Sequence, residues 1–203
     1  MRKSRLIFAL LLLAFTLTAQ EDAHQADRQA LLQVMHNVEK AINDQDIEGI
    51  IAQTNPDCTV TWWNAEISRG HDQIRAYYRR MMKEDGRIIS KYTTRAKLGA
   101  HARFIGSGGD VALADGSMDD EFFPIVRGPF RLSSRWSATV AKSGGAWKIV
   151  NLHLSSNVFT NTLIAELTRA LWIAGASCLA IGLLAGWFIG RRSKRGGVRA
   201  IPV

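Results

Sequence analysis

The sequence predicts an α+β domain in which helices come first and an antiparallel sheet follows. In residues 27–43 the apolar side chains of Leu31, Val34 and Val38 recur at helical spacing. After Gly86 the pattern changes to extended β-branched and aromatic segments, several of them separated by glycine-containing breaks. This order is typical of a domain whose helices cover one face of an antiparallel sheet.

Three helices are predicted before the sheet. The first covers residues 27–43 with Asp27 as its N-cap, and the second is a short helix capped by Asp46. A third helix follows Gly70. Its apolar positions are Ile74, Tyr77, Tyr78 and Met81, and those of the second helix are Ile47, Ile50 and Ile51.

The strands are predicted from β-branched and aromatic runs. Residues 58–63 form the first, because they are β-branched and aromatic, and the proline at position 56 ends the helix before them. A Ser-Gly-Gly turn at 143–145 favours a hairpin between the last two strands. The later strands are predicted at residues 88–98, 101–105, 111–118, 130–142 and 147–155.

The N-terminal segment is typical of a secretory signal. Three basic residues precede an apolar run at residues 6–19, and 14 residues are too few to span a bilayer core. We therefore predict a signal peptide at residues 1–19, cleaved after Ala19. An uncleaved signal anchor is the alternative.

The C-terminal segment predicts one transmembrane helix at residues 170–190. Residues 170–189 carry no charge over 20 positions, with Trp172 and Trp187 near the two ends. A core helix of the soluble domain is the alternative. Lys and Arg residues accumulate in the tail, residues 191–203, which places the tail in the cytoplasm.

These two ends define the rest of the organisation. Residues 20–160 form the soluble domain, and residues 161–169 form a short helical stalk capped by Thr160 or Asn161. We expect a single-pass protein of a bacterial inner membrane, with the domain in the periplasm or outside the cell.

The net charge of +8 does not indicate nucleic-acid binding. Between Gln20 and Thr168 there are 17 basic and 18 acidic residues, so the basic surplus belongs to the two ends. That distribution follows membrane topology rather than a phosphate-binding surface. We therefore expect no nucleic-acid partner.

Cysteine and histidine chemistry is sparse. Cys58 lies in the domain and Cys178 in the membrane helix, so they cannot form an intrachain disulfide. The five histidines show no ligand spacing, and the acidic run at residues 119–121 is interpreted as a solvated turn. We expect no metal and no cofactor.

Four segments resemble one family when taken in order. They are residues 43–50 (NDQDIEGI) with 56–60 (PDCTV), residues 70–78 (GHDQIRAYY), Arg135, and residues 147–155 (WKIVNLHLS). Residues 27–158 thereby resemble the nuclear transport factor 2-like superfamily, in its SnoaL-like and ketosteroid-isomerase-like branch. The last hairpin is also similar to the association domain of calcium/calmodulin-dependent kinase II.

The resemblance implies a cone, in which a curved antiparallel sheet folds around three helices and opens at one end to a deep pocket. Members of the superfamily are often dimeric, several bind small hydrophobic molecules, and some are enzymes. The isomerase mechanism does not carry over. Its base position falls on Trp62 and its tyrosine position on Val38, and neither side chain can do that chemistry.

Five residues are predicted to bind a ligand in the pocket. Of the neighbours Trp62 and Trp63, one indole must point inward, and the resemblance favours Trp62. The alternatives are core packing for Tyr78, a structural ion pair for Arg135, and a solvent-facing stripe for Asn151 and His153. The predicted ligand-binding set is Trp62, Tyr78, Arg135, Asn151 and His153.

Two functions remain open at this stage. The first is a non-catalytic module that holds a small apolar or amphipathic ligand, or a partner protein, at the membrane. The second is a hydrolase, isomerase or cyclase with His153 as general base and Arg135 as anion holder. Small residues recur at every fourth position of the membrane helix, from Ala170 to Gly190, so we expect a homodimer.

Overall fold

The computed structural model describes residues 25–106 and 108–195, which form two compact units divided after Asn157. The first unit is the predicted α+β domain. The second is dominated by one long helix. The predicted signal peptide at residues 1–19 and the last eight residues of the predicted tail lie outside the described residues.

All three predicted helices of the domain are confirmed, but Asp27 lies inside the first one rather than at its N-cap, and its carboxylate accepts a hydrogen bond from Trp147 Nε1. Helix α1 covers residues 25–43, α2 covers Ile47–Ile51 and α3 covers Gly70–Met82. The side chain of Asp46 accepts a hydrogen bond from the Gly49 amide, so it caps α2 as predicted.

Seven strands form one sheet. They are β1 (Thr54–Thr61), β2 (Ile67–Arg69), β3 (Ile89–Leu98), β4 (Arg103–Ile105), β5 (Val111–Pro124), β6 (Phe130–Ser143) and β7 (Ala146–Ser156). The order is β2-β1-β7-β6-β5-β3, with β4 paired to β5. Every pair is antiparallel except β1 and β7, because the chain crosses over between these two strands.

Strand β2 was not predicted, and two other strands differ by more than two residues from their predicted bounds. Strand β1 begins at Thr54, because Pro56 lies in an irregular stretch between Thr54 and Thr59 where no ladder hydrogen bond to β7 is needed. Strand β5 continues past Met118 to Pro124, so the acidic run at residues 119–121 lies in a strand and not in a turn.

The core lies between the inner face of the sheet and the helices. One cluster of buried residues includes Leu31, Met118 and Trp136, and a second includes Ile74 and Ile149. Irregular pairing along β3, β6 and β7 breaks the regular ladder, which bends a sheet around its inner face.

The second unit consists mainly of α4, Thr162–Arg195. The Asn161 side chain accepts a hydrogen bond from the Ile164 amide at 3.0 Å, as expected of a cap. Residues Thr162–Arg192 are long and apolar enough to cross a membrane, with none of the apolar window buried. The helix is therefore a candidate membrane span.

Candidate functional site

A cavity of about 410 Å³ lies inside the domain, between α1, α3 and the inner face of the sheet. Its volume falls in the range typical of small-molecule pockets. Aliphatic and aromatic side chains make up nearly all of its wall. They include Val34, Val38 and Ile42 from α1, Ile74 and Met81 from α3, and Met118, Phe122, Leu132, Trp136, Ala138, Val140, Leu152 and Leu154 from the sheet.

The turn after α1 holds the helices against the edge of the sheet. The Asn43 side chain donates to Thr94 O at 3.0 Å and accepts from Thr94 N at 2.9 Å. Gln45 makes the same pair of contacts with the backbone of Tyr92, at 2.6 Å and 3.3 Å. These side chains take the place of a neighbouring strand along β3, so the motif at residues 43–46 has a structural role.

Trp62 lies in the wall of the cavity, as predicted. Its ring stacks on Tyr77 with the centroids 4.2 Å apart and the planes 5° apart. Its indole N–H donates to Ser68 Oγ at 2.9 Å, so the orientation of the ring is fixed. Burial raises the pKa of Tyr77 to about 12, so its hydroxyl stays protonated at neutral pH.

Trp63 also lines the cavity, and here the expectation of a single inward indole is wrong. Strand β1 ends at Thr61, so Trp62 and Trp63 lie in a turn where strand alternation no longer applies. The Trp63 ring packs edge-on against Tyr92 and Phe122, with centroid distances of 5.1 Å and 5.5 Å.

Tyr78 contributes its ring to the wall but not a free hydroxyl. Its hydroxyl donates to Gln45 O at 2.6 Å, which fastens α3 to the turn after α1. The hydroxyl therefore has the structural role that the sequence offered as the alternative to ligand binding. The ring remains available for apolar contact with a ligand.

Asp120 is the polar group that the sequence interpretation placed wrongly. Instead of lying on a solvated turn, Asp120 faces inward from β5 and is only 1% exposed. Its Oδ1 accepts hydrogen bonds from Tyr92 Oη and Thr94 Oγ1, each at 2.7 Å. The alternation of Met118, Asp120 and Phe122 was the signal for this placement.

The environment of Asp120 favours its neutral form. Burial raises the pKa of its carboxyl group above the ordinary value, and the hydroxyls that donate to it oppose that shift. Its second oxygen, Oδ2, and the hydroxyl of Ser134 are both buried, and Ser134 is one of the hydroxyls that lower the pKa of this carboxyl group. Ser134 is the diagonal neighbour of Asp120 on the adjacent strand.

Gly116 permits the close packing of the wall behind the cavity. A Cβ atom at this position would lie 2.0 Å from Lys97 O and 2.7 Å from the Trp136 indole. The Trp136 ring therefore rests directly on the backbone of β5. Only glycine allows this approach.

Arg135, Asn151 and His153 do not line the cavity, which corrects their predicted placement. All three are exposed on the outer face of the sheet, and Arg135 Nη2 lies 3.5 Å from Asp115 Oδ2. The apolar side of β7 faces the core, which leaves the polar stripe to solvent. Val150 is an extra residue in the pairing of β7 with β6, so inward alternation resumes at Leu152 and Leu154.

The positions matched to the isomerase mechanism place no acid–base group in the cavity. The two positions that match the isomerase base and tyrosine, Trp62 and Val38, both lie in its wall. Across residues 25–106 and 108–195, no three side chains of histidine, cysteine, aspartate or glutamate come together as a metal site. The thiol of Cys58 is buried, and burial raises its pKa to about 11.

Comparison with known proteins places the fold. No protein-family model and no curated protein matches the sequence. Among solved structures, a provisionally assigned scytalone dehydratase from Novosphingobium aromaticivorans superposes with a TM-score of 0.58 at 16% identity, over 68% of this chain and 89% of that one. The hexachlorocyclohexane dehydrochlorinase LinA-type3 from Novosphingobium barchaimii gives 0.59 at 12% identity, over 68% and 91%.

A third similar structure is an NTF-2-like protein of unknown function from Shewanella oneidensis. It gives a TM-score of 0.50 at 16% identity, over 63% of this chain and 98% of that one. Similarity at these identities establishes the fold and not the activity. The domain therefore has the nuclear transport factor 2-like fold, followed along the chain by a candidate membrane-spanning helix.

Proposed function

We propose that this protein is a membrane-anchored, non-catalytic module that holds a small apolar or amphipathic ligand in its cavity. The cavity wall carries the proposal, because about 410 Å³ of space is lined almost wholly by aliphatic and aromatic side chains. Transfer of apolar surface out of water into such a space is favourable.

The polar groups near the cavity support a binding role over a catalytic one. Asp120 Oδ1, Tyr78 Oη and Trp62 Nε1 are each held in hydrogen bonds within the domain. The enzyme alternative relied on His153 and Arg135 in the pocket, and both lie on the outer face of the sheet. Similar structures include a dehydratase and a dehydrochlorinase, so assays of elimination chemistry belong beside the binding assays.

The ligand contacts follow from the wall. We assign the aromatic contacts to Trp62 and Tyr78, whose rings line the cavity, and add Trp63 to them. A fixed, stacked indole provides a large apolar surface at little cost in side-chain entropy, because its hydrogen bond to Ser68 already holds it.

The location and the assembly are further parts of the proposal. The candidate span α4 supports anchoring in the inner membrane, with the domain outside the cytoplasm and the basic tail inside. We also propose a homodimer in which the small residues of α4 face each other. Replacing Gly182 and Gly186 with Leu should reduce crosslinked dimer, and unchanged crosslinking would remove α4 from the dimer contact.

The test is to identify what the full-length protein retains. The chain would be extracted with its surrounding lipid by a styrene–maleic acid polymer and studied by native mass spectrometry and organic extraction. Ala114 lies in the wall, so Ala114→Phe should exclude a retained ligand by filling the space. Ser137→Phe adds the same ring on the outer face and should leave retention unchanged.

Two outcomes would count against the proposal. Equal retention by Ala114→Phe and the unsubstituted protein would show that the ligand lies outside the cavity. A chain that retains nothing and binds no apolar probe would favour a role in protein assembly.

A further inference from the structure

The loop between β5 and β6, residues 125–129, ends in exposed aliphatic side chains. Within this hairpin tip Val126 is 91% exposed and Ile125 is 49% exposed. The Ile125 amide donates to Ile88 O at 3.0 Å, so Ile88, which is 54% exposed, lies beside them as a third aliphatic residue. Exposed aliphatic residues grouped in this way mark an interaction surface rather than ordinary surface variation.

Two cations lie at or beside the hairpin tip. The Arg127 guanidinium lies 4.8 Å from the centroid of the Phe130 ring, and the Lys91 ammonium lies 5.7 Å from that of Phe123. Residues 83–91 and 123–130 together contain four basic and two acidic side chains. An apolar tip within a basic surround matches the chemistry of an anionic lipid surface, where aliphatic groups enter the interface and cations meet the headgroups.

The strand order places the exit of the chain at the same end of the sheet. Ser156, the last residue of β7, pairs with Ser134 of β6, only four residues after the first residue of that strand, Phe130. Five residues then separate β7 from α4 along the chain. The hairpin tip therefore lies at the end of the sheet where the chain leaves the domain.

We propose that the hairpin tip docks on the anionic surface of the bilayer in which the chain is anchored. Val126 and Ile125 enter the interface, and Arg127 meets lipid phosphates. Ile88, Pro124 and Phe130 also line the cavity, so docking brings this end of the cavity to the lipid. The inference rests on the anchoring stated under Proposed function but not on ligand binding.

The experiment uses the full chain reconstituted into vesicles. A Val126→Cys variant in a Cys178→Ser background is labelled with an environment-sensitive fluorophore, while Cys58 stays buried and unlabelled. The matched control is Ser143→Cys, an exposed position at the end of β6, next to the turn at the other end of the sheet. Vesicles of phosphatidylcholine and phosphatidylglycerol carry a nitroxide quencher on the acyl chains.

We expect quenching at position 126 to exceed that at position 143 by at least about twofold, and to fall by a similar factor in pure phosphatidylcholine or with Arg127→Glu. Equal, weak quenching at the two positions would overturn the proposal. Protection of position 126 from aqueous iodide without lipid quenching would assign the tip to a protein partner and also overturn it. Alkaline extraction tests anchoring separately, since loss of the unlabelled chain from vesicles would refute anchoring and docking together.

Discussion

Replacing Asp120 with Asn should remove a pH-dependent loss of stability. The carboxyl group is buried on the inner face of β5, and burial raises its pKa above the ordinary value. The folded chain therefore keeps a proton at pH values where the unfolded chain, with a pKa of about 3.9, has released it. The free energy of unfolding falls as the pH rises through this window, and the loss is complete above the raised pKa.

The size of the pH effect is limited by the single proton that Asp120 binds. Within the window, the difference in free energy of unfolding between the wild-type protein and Asp120→Asn should change by at most about 1.4 kcal/mol per pH unit, to the disadvantage of the wild type. The amide oxygen of Asn can still accept from Tyr92 and Thr94. Its NH₂ group takes the place of Oδ2 and can donate to the neighbouring Ser134 Oγ.

The assay is urea unfolding of the full chain in detergent micelles at pH values from 4 to 8, followed by near-ultraviolet circular dichroism. Asp119→Asn is the matched control on the same strand. Its carboxylate is exposed and bonded to Lys97 Nζ at 2.8 Å, which lowers its pKa. The pH dependence of the Asp119 contribution therefore has the opposite sign. Ionised Asp119 stabilises the fold above the pKa of the unfolded chain, and this stabilisation is lost as the pH falls.

Two results would refute this reasoning. The first is an Asp120→Asn variant whose stability follows that of the wild type in parallel across the whole range. The second is a wild type that gains stability relative to Asp120→Asn as the pH rises, which would mean that the hydroxyl donors outweigh burial.

Three further predictions concern the frame of the cavity. Asn43→Ala removes both hydrogen bonds to the Thr94 backbone and should lower the free energy of unfolding by about 1–3 kcal/mol in urea titrations. Gly116→Ala places a Cβ atom 2.0 Å from Lys97 O, and should cost more than about 3 kcal/mol or abolish folding as judged by near-ultraviolet circular dichroism. Cys58, with a pKa raised to about 11, should resist iodoacetamide at pH 8 until the domain unfolds.

The chain offers a control for each of these. Asp44→Ala removes only an exposed ion pair with Lys40 and should leave stability nearly unchanged. Gly128→Ala meets no atom within 4 Å and should fold normally. Rapid alkylation of Cys58 in the folded protein would contradict its burial, and an unchanged stability of Asn43→Ala would contradict the edge contact.

The helices and most strands were predictable because their patterns are local. Apolar spacing and caps at Asp46 and Asn161 define α2 and the start of α4 without reference to the rest of the fold. The first strand was predicted too short, because Pro56 suggested a boundary. Whether an irregular pairing accommodates a proline depends on the neighbouring strand, here β7, which is more than 90 residues away along the chain.

The candidate site was less predictable than the fold. Alternation along β7 correctly separated a polar from an apolar face, but the side that faces the helices is decided by tertiary packing. Asp120 is a second case, in which a residue expected to face solvent lies in the core. Three consecutive acids indicate a solvated turn on composition alone, whereas the register with Leu132 and Thr94 sends the middle one into the core.

Direct measurement of ligand binding tests the central claim, that the apolar cavity holds a small ligand. A brominated fatty acid is titrated into the full chain carrying Trp172→Phe and Trp187→Phe, so that quenching by bromine in the surrounding lipid or detergent is removed and the signal reports the approach of bromine to Trp62, Trp63 and Trp136 in the cavity wall. In this background we predict saturable quenching with the wild-type cavity and with Ser137→Phe, and its loss in Ala114→Phe with the domain still folded. Saturable quenching of equal strength in all three proteins, or none in the wild type, would contradict the claim.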